Sequence, residues 1–329
     1  MLLAAVLYAL SVSCRALARE DAGFTHILLE QSVDAAAGEA VLSQDAAEEE
    51  TLGFCFWGEA EQQRVSCRET GASVQVTQVF LAGNPELLGA GILAWQRGCL
   101  IDEATAQALF GTVLCGGQSL WHDGTAYRVL GTVSSLRPTM LTMAEPGDGA
   151  CLSRCVLSAP AETGKVQGEQ FLLRYGLWGK VLDFYPLWAL TENLLLLFPG
   201  ILLLAVWGRL GRGWRRLTFP GIASGSQLQL LGRAVLALGL TIGTLWGLGR
   251  RLIIPPDMIP SRWSDFSFWG TWWEAQRENL LLLLFTPLGN RQLQMLLNMV
   301  KSMGTSTAAA VLALWAVRRQ SNADIADRG

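Results

Sequence analysis

The sequence has few charged residues and very few histidines. Charged residues make up 16% of the 329 positions, and only two histidines are present. Soluble domains usually carry about a quarter charged residues. Two histidines leave little room for a Ser-His-Asp hydrolase, and neither His26 nor His122 stands in a metal-ligand pattern. The formal net charge of −3 gives no indication of nucleic-acid binding.

Motifs for nucleotide binding and hydrolysis are also missing. The Gly-Lys pairs at 164–165 and 179–180 are followed by valine, not by the Ser or Thr of a phosphate-binding loop. The segment GIASG at 221–225 places its serine one position too late for a nucleophile elbow. No zinc-protease helix is present. We therefore predict a chain that is not an enzyme and that carries no cofactor and no catalytic metal.

The apolar residues are concentrated in segments of membrane-spanning length. A bilayer core needs roughly 20 apolar residues in a helix, and this predicts transmembrane helices at 184–207, 228–249 and, in a shorter form, 303–317. Residues 1–18 are also apolar. We interpret them as an uncleaved signal anchor, with a cleaved signal peptide as the alternative.

Positive charges predict which side of the membrane each part occupies. Short loops rich in Lys and Arg stay in the cytoplasm. Four arginines place the loop 208–227 inside: Arg209, Arg212, Arg215 and Arg216. Arg318 and Arg319 do the same for the C-terminus. The predicted fold class is therefore a membrane protein with an α+β extracytoplasmic domain, residues 19–183, inserted after the first of four transmembrane helices.

The segment 250–301 is rich in tryptophan and lies between the last two predicted spans. Tryptophan concentrates where a membrane meets water, so we predict an outer loop along that interface, with a partner-binding surface as the alternative. The polar residues at 290–294 follow the apolar run 280–285 too closely for a further span. They predict an amphipathic helix on the membrane or against the bundle, or a soluble core helix.

Six of the seven cysteines fall in the predicted outer domain and none follows residue 155. An even set confined to an exported domain predicts disulfides. The six residues are Cys55, Cys67, Cys99, Cys115, Cys151 and Cys155. Six cysteines allow 15 pairings, and we favour Cys55–Cys67 and Cys99–Cys115.

One carboxylate stands inside a predicted span. Glu192 lies in the segment 184–207, and an ionisable group in hydrocarbon is by default a functional candidate. The alternative is that Glu192 lies near the outer interface, because it follows the start of the span by few residues.

The segment 19–183 alternates strand and helix patterns irregularly, which is typical of an α+β domain. Asn84 and Asp102 stand where helix N-caps are expected, and Asp123-Gly124 predicts a hairpin turn between two strands. The region 138–170 is rich in Gly, Pro and Ala and is predicted to be mostly loop.

Three motifs in this domain resemble MacB/FtsX-type ABC transporter permeases. They are NPELL at 84–88, CLIDEATAQALFG at 99–111, and GQSL at 117–120 followed by YRVLGTV at 127–133. Their order and spacing resemble the family's short helix, its strand–helix element and its hairpin. The order of the apolar segment, the outer domain and the three further spans also resembles that family.

The resemblance implies a permease subunit in the bacterial cytoplasmic membrane. Such a subunit contacts membrane lipid, works with a separate cytoplasmic ATPase, and forms a homodimer or a heterodimer with another permease. It takes part in export or in envelope mechanotransmission. Two features depart from the family: the loop 208–227 lacks a charged coupling helix, and the segment 250–301 is longer than the usual outer loop. The alternative is a membrane-anchored extracytoplasmic sensor or regulatory protein without transport activity.

Overall fold

The computed structural model describes most of the chain. The described residues are 1–48, 51–90, 98–217, 225–260, 262, 266–286 and 288–326. They fold into two compact units. The first, here called the helical unit, comprises Met1–Arg19, Tyr185–Asp265 and Leu296–Gly329. The second, here called the sheet unit, comprises Glu20–Phe184 and Phe266–Met295.

Nine β-strands form one sheet in the sheet unit. The strands are β1 Thr25–Val33, β2 Phe54–Ser66, β3 Ser73–Gly83, β4 Gly98–Asp102, β5 Ser119–His122, β6 Thr125–Val133, β7 Thr139–Met143, β8 Leu152–Leu157 and β9 Gly179–Leu182. Their order is β3-β7-β4-β6-β5-β2-β8-β1-β9, and β3 also pairs with β2. The first six strands in this spatial order, from β3 to β2, therefore make a closed circuit. The other three strands, β8, β1 and β9, extend the sheet from β2.

The circuit closes because β2 is long. Residues 54–57 of β2 pair with β8, residues 65–66 pair with β5, and the other edge pairs with β3 along most of its length. The sequence predicts two short strands here, since the middle of β2 reads EAEQQR and is mostly exposed. Hydrogen bonding to β3 keeps these polar residues extended, because the backbone pairing does not depend on the side chains.

Three helices cover the sheet, and their ends follow the capping residues in the sequence. They are α2 Ala35–Ala46, α3 Glu103–Phe110 and α4 Ala161–Tyr175. The Asp102 side chain accepts a hydrogen bond from the Thr105 N–H, and Gly111 ends α3 in the left-handed conformation. Asn84 caps a 3₁₀ turn over Pro85–Leu88 in the same way. The predicted hairpin at Asp123-Gly124 joins β5 to β6.

The expectation of a loop over 138–170 is wrong. This region contains β7, β8 and the first part of α4. The strand β8 is central, because it pairs with β1 on one side and with β2 on the other. Its residues Leu152, Cys155 and Val156 are fully buried. Pro138, Pro146, Gly147 and Gly149 lie in the turns before β7 and between β7 and β8, and they hide the short strands beside them, whereas Gly164 and Gly168 lie within α4.

The helical unit holds the apolar helices. They are α1 Leu2–Asp21, α5 Tyr185–Leu195, α6 Leu197–Leu217, α7 Gly225–Gly249 and α9 Asn290–Ala326, of which the first and last also extend into the sheet unit. Among the described residues, three stretches are long and apolar enough to cross a membrane: Leu2–Asp21, Tyr185–Gly208 and Asn290–Gln320. Within α7 the apolar stretch is the shorter Ala234–Gly247.

Part of the tryptophan-rich segment is a helix and not a loop. Phe268, Trp269, Trp272 and Trp273 all lie on the helix α8, Ser267–Phe285, and Trp263 lies outside the described residues. The polar residues at 290–294 lie in a helix, the first part of α9, whereas the apolar run 280–285 belongs to the separate helix α8, which ends at Phe285. Proline lacks an N–H and disfavours helix in the residue before it, so the sequence Thr286-Pro287 accounts for the end of α8 at Phe285.

Candidate functional site

Glu192 forms an ion pair inside the helical unit. The Nε atom of Arg15 on α1 lies 2.5 Å from Oε1 of Glu192 on α5. The Glu192 side chain is 9% exposed and that of Arg15 is 27% exposed. The Arg15 guanidinium also lies 5.9 Å from the ring centroid of Trp188, one turn before Glu192. The sequence singled out Glu192, but its partner was missed, since Arg15 is 177 residues away.

Other polar contacts join the same helices. Ser11 on α1 and Ser302 on α9 are both fully buried and exchange hydrogen bonds between their hydroxyls and backbone carbonyls at 2.8 and 3.0 Å. The Ser306 hydroxyl donates to the Leu194 carbonyl at 2.8 Å. Ala4, Phe198, Ala309 and Ala313 pack around these contacts. Small residues and interhelical hydrogen bonds are the interactions that hold helices together in lipid.

In the sheet unit, Arg291 ties the beginning of α9 to two other segments. Its Nε donates to a carboxylate oxygen of Asp21, the last residue of α1. One terminal nitrogen donates to the Leu87 carbonyl at 2.9 Å. The guanidinium also lies 4.2 Å from the ring centroid of Phe24. One arginine therefore joins α1, the 3₁₀ turn and α9.

Asn290 adds a second attachment at the adjacent residue. Its side-chain amide donates to the Ser134 carbonyl at 2.9 Å, and its oxygen accepts from the Leu136 N–H at 2.7 Å. The segment 134–136 follows directly after β6. Asn290 and Arg291 together are called the clasp below. The clasp connects the helix α9 to the loops at one end of the sheet.

A cavity of about 260 Å³ lies next to the clasp within the sheet unit. Its apolar lining includes Val79, Leu88, Leu141 and Leu288. Its polar lining includes both clasp residues and Asp21, His26, Trp57, Glu59, Ser135, Arg137 and Gln294. Glu59 pairs with Arg154 at 3.3 Å, and Arg154 stacks over Trp57 with 4.4 Å to the ring centroid. Apolar walls with a few polar groups are typical of a ligand pocket.

His26 is a buried neutral group in the cavity wall. Only 1% of the residue is exposed, and its ring meets Phe184 edge-on with 5.9 Å between centroids. Burial, assisted by the positive charge of Arg291, lowers the pKa of His26 from 6.5 to about 3. Both effects oppose the charged imidazolium. The histidine is therefore uncharged in the folded protein at neutral pH.

This shift predicts that acid weakens the sheet unit. Between about pH 6.5 and pH 3 the unfolded chain binds a proton at His26 that the folded chain excludes, so stability is complete above pH 6.5 and falls as the pH drops. At pH 5 the expected loss from this residue is about 2 kcal/mol. Thermal unfolding of the full chain in detergent, followed by circular dichroism at pH 7.5 and pH 5, measures it. In the variant His26→Phe, the loss of stability between pH 7.5 and pH 5 should be smaller by about 2 kcal/mol. An equal loss in the two proteins would contradict the assignment to His26.

The structure contains free thiols at all seven cysteines, so the disulfide prediction is not supported. Cys55 lies at the start of β2 and Cys67 follows its last residue, so an extended strand separates them by up to about 40 Å, at about 3.3 Å per residue, and they cannot pair. Cys55 does lie beside Cys155, but their register partners Val156 and Phe56 show that the two thiols face opposite sides of the sheet. Cys151 lies four residues before Cys155 in the chain. Cys151 is exposed, whereas Cys155 is buried.

Cys99 and Cys115 are the only predicted pair that shares a core cluster in the described structure. Burial raises the pKa of the Cys99 thiol to about 12, and nearby Cys115 adds to this effect. Both are therefore protonated and act as small apolar residues in this structure.

The four arginines of the predicted inner loop stand on the last turns of α6, so that loop begins as helix. The side chains of Arg209, Arg212, Arg215 and Arg216, and residues 218–224, lie outside the described part of the structure. Among the residues that are described, no three His, Cys, Asp or Glu side chains are grouped to hold a metal ion.

No protein-family model and no curated protein matches the sequence. Among solved structures, the chain is similar to the periplasmic region of MacB from Actinobacillus actinomycetemcomitans, with 11% identity and a TM-score of 0.38 over 49% of this chain and 88% of that one. It is also similar to the extracellular domain of the noncanonic ABC-type transporter YknZ from Gram-positive bacteria, with 13% identity and a TM-score of 0.36 over 49% and 100% of the two chains.

Proposed function

We propose that this chain is a divergent MacB-like ABC transporter permease subunit. It works with a separate cytoplasmic ATPase in export or in envelope mechanotransmission. The observation that carries the proposal is the clasp. The helices α1 and α9 are both apolar enough to cross a membrane, and their ends at Asp21 and Arg291 are tied to each other and to the sheet loops.

The clasp suits the transmission of force. In the proposed arrangement, residues 19–183 are extracytoplasmic, the C-terminus is cytoplasmic, and two permease subunits associate in the membrane. A shift of α9 along its axis pulls on Ser134 and Leu136 through Asn290, and on Leu87 through Arg291. Packed interfaces respond to small displacements by switching between discrete arrangements. The ATPase supplies the displacement, and the chain itself performs no chemical step.

Copurification tests the proposal. The full chain, tagged and extracted from its native membrane in mild detergent, is expected to bring down an ABC ATPase. The double variant Arg215→Gln/Arg216→Gln removes two charges from the predicted inner segment and should reduce the yield of ATPase. The matched variant Arg250→Gln/Arg251→Gln removes two charges from the predicted outer segment and should leave the yield unchanged.

The absence of an ATPase from the purified protein, together with unchanged efflux when the chain is deleted, would rule out the transporter function. A membrane-anchored sensor is then the better candidate. The specific observation in its favour is the cavity beside the clasp, since a bound ligand there would contact Arg291 and Asn290 directly. Ligand binding without transport would support the sensor.

A further inference from the structure

Unsatisfied polar groups concentrate around the cavity of the sheet unit. The described residues contain four buried side-chain nitrogens without a hydrogen-bond partner: His26 Nδ1, Trp57 Nε1, Arg154 Nε and Trp272 Nε1. His26 and Trp57 line the cavity, and Arg154 stacks on Trp57. Natural proteins leave few such groups unpaired. These nitrogens are themselves shielded from solvent, so they mark a polar wall beside the cavity and are out of reach of a molecule in it.

The cavity is lined by two carboxylates and two arginines. Asp21 pairs with Arg291, and Glu59 pairs with Arg154, which is outside the lining. No ion pair to Arg137 exists among the described residues. It lies near enough to Arg154 for their charges to repel. Arg137 is therefore the charged group of the lining with which a ligand can pair.

The volume and the walls limit the size of the ligand. Pockets for drug-sized molecules usually have about 300–1,000 Å³, and this cavity has about 260 Å³. Valine and leucine side chains form one part of the wall, and the indole of Trp57 forms another. These surfaces suit a compact apolar or aromatic body that carries a single polar head.

We propose that the cavity binds a small carboxylate with a compact apolar body. The carboxylate faces Arg137 at the rim, and the apolar part lies against Val79, Leu141 and Trp57. The site belongs to the sheet unit alone, so it does not depend on the proposed transport function.

Benzoate and benzamide test this site because they have the same shape but differ in charge. Their binding to the full chain in lipid nanodiscs can be measured by equilibrium dialysis, with empty nanodiscs as the blank. Benzoate is expected to bind more tightly than benzamide by about tenfold, the scale of one charge-assisted hydrogen bond.

Two variants assign the interaction to the cavity. Arg137→Gln should weaken benzoate binding by about tenfold and leave benzamide binding unchanged. Arg137 is exposed, so this variant is expected to fold. Trp57→Phe should weaken the binding of both compounds, because it shrinks the aromatic wall. Arg174→Gln, an exposed arginine at the end of α4 that does not line the cavity, is the matched control and should bind both compounds as the unmodified chain does.

Three outcomes would overturn the proposal. They are equal affinity for benzoate and benzamide, equal effects of Arg137→Gln and Arg174→Gln, and the absence of binding, which would mean that the cavity holds water only. None of these outcomes concerns the ATPase. A failure here therefore leaves the copurification test unaffected, and a missing ATPase leaves this test unaffected.

Discussion

Replacing Arg15 with methionine is expected to destabilise the helical unit by about 3–5 kcal/mol, the usual cost of leaving one partner of a buried ion pair without its counter-charge. Glu192 is then a carboxylate among apolar side chains, and the Trp188 ring loses its cation. Unfolding of the full chain in mixed detergent micelles, titrated with a denaturing detergent, measures the loss.

The double variant Arg15→Met/Glu192→Leu is the control for this prediction. It removes both charges and fills the space with apolar groups, so most of the stability should return. The result would contradict the buried ion pair if the double variant were as unstable as Arg15→Met alone. The same proteins also separate structure from function: a stable double variant that no longer supports activity would give Glu192 a role beyond its pairing with Arg15.

Replacing Arg291 with methionine is expected to destabilise the sheet unit by about 3 kcal/mol. The change keeps an apolar stem over Phe24 but removes the partner of Asp21 and the donor to the Leu87 carbonyl. Truncating one partner of a buried hydrogen-bonded charge pair costs roughly 2–5 kcal/mol. Hydrogen exchange should rise at 86–89 and at the C-terminal end of α1, because these segments lose their common attachment.

An exposed ion pair in the same unit provides the matched control. Lys180 on β9 and Glu278 on α8 lie 3.8 Å apart, with side chains 52% and 72% exposed. Such surface pairs contribute little, so Lys180→Met should leave unfolding and exchange as they are in the unmodified chain. If Lys180→Met and Arg291→Met changed unfolding and hydrogen exchange equally, the loss of any positive charge would explain the result. The contacts of Arg291 in the clasp would then not be its cause.

The contacts of the clasp could not be predicted from the sequence. The polar run at 290–294 predicts only that this part of the chain leaves the lipid. The bonding partners of Asn290 and Arg291 lie more than 150 residues away along the chain. No local pattern specifies such contacts, since they depend on how the sheet and the helix ends pack. The cavity could not be predicted for the same reason, because residues from both ends of the chain line it.

The disulfide prediction failed for a related reason. The number of cysteines and the confinement of all of them to residues before 156 are real features of the sequence. A disulfide, however, forms only between cysteines that lie close together in space. The polar middle of β2 makes it look like two strands, which would bring Cys55 and Cys67 together across a hairpin. As one strand it holds them at opposite ends. Pairing with β3, a tertiary feature, decides between the two.

The sequence by itself determined the features that depend on neighbouring residues. Apolar length predicted the three described stretches that could cross a membrane, Leu2–Asp21, Tyr185–Gly208 and Asn290–Gln320, whereas the predicted span 228–249 contains only the shorter apolar stretch Ala234–Gly247. Asn84 and Asp102 predicted the caps, and Asp123-Gly124 predicted the hairpin. Each of these effects acts within a few residues, so the sequence contains the whole cause. Only the tertiary structure decided that Glu192 pairs with Arg15, that β8 lies between β1 and β2 inside the sheet, and that Arg291 joins the ends of α1 and α9. These contacts join residues far apart in the chain, and packing of the complete core selects them.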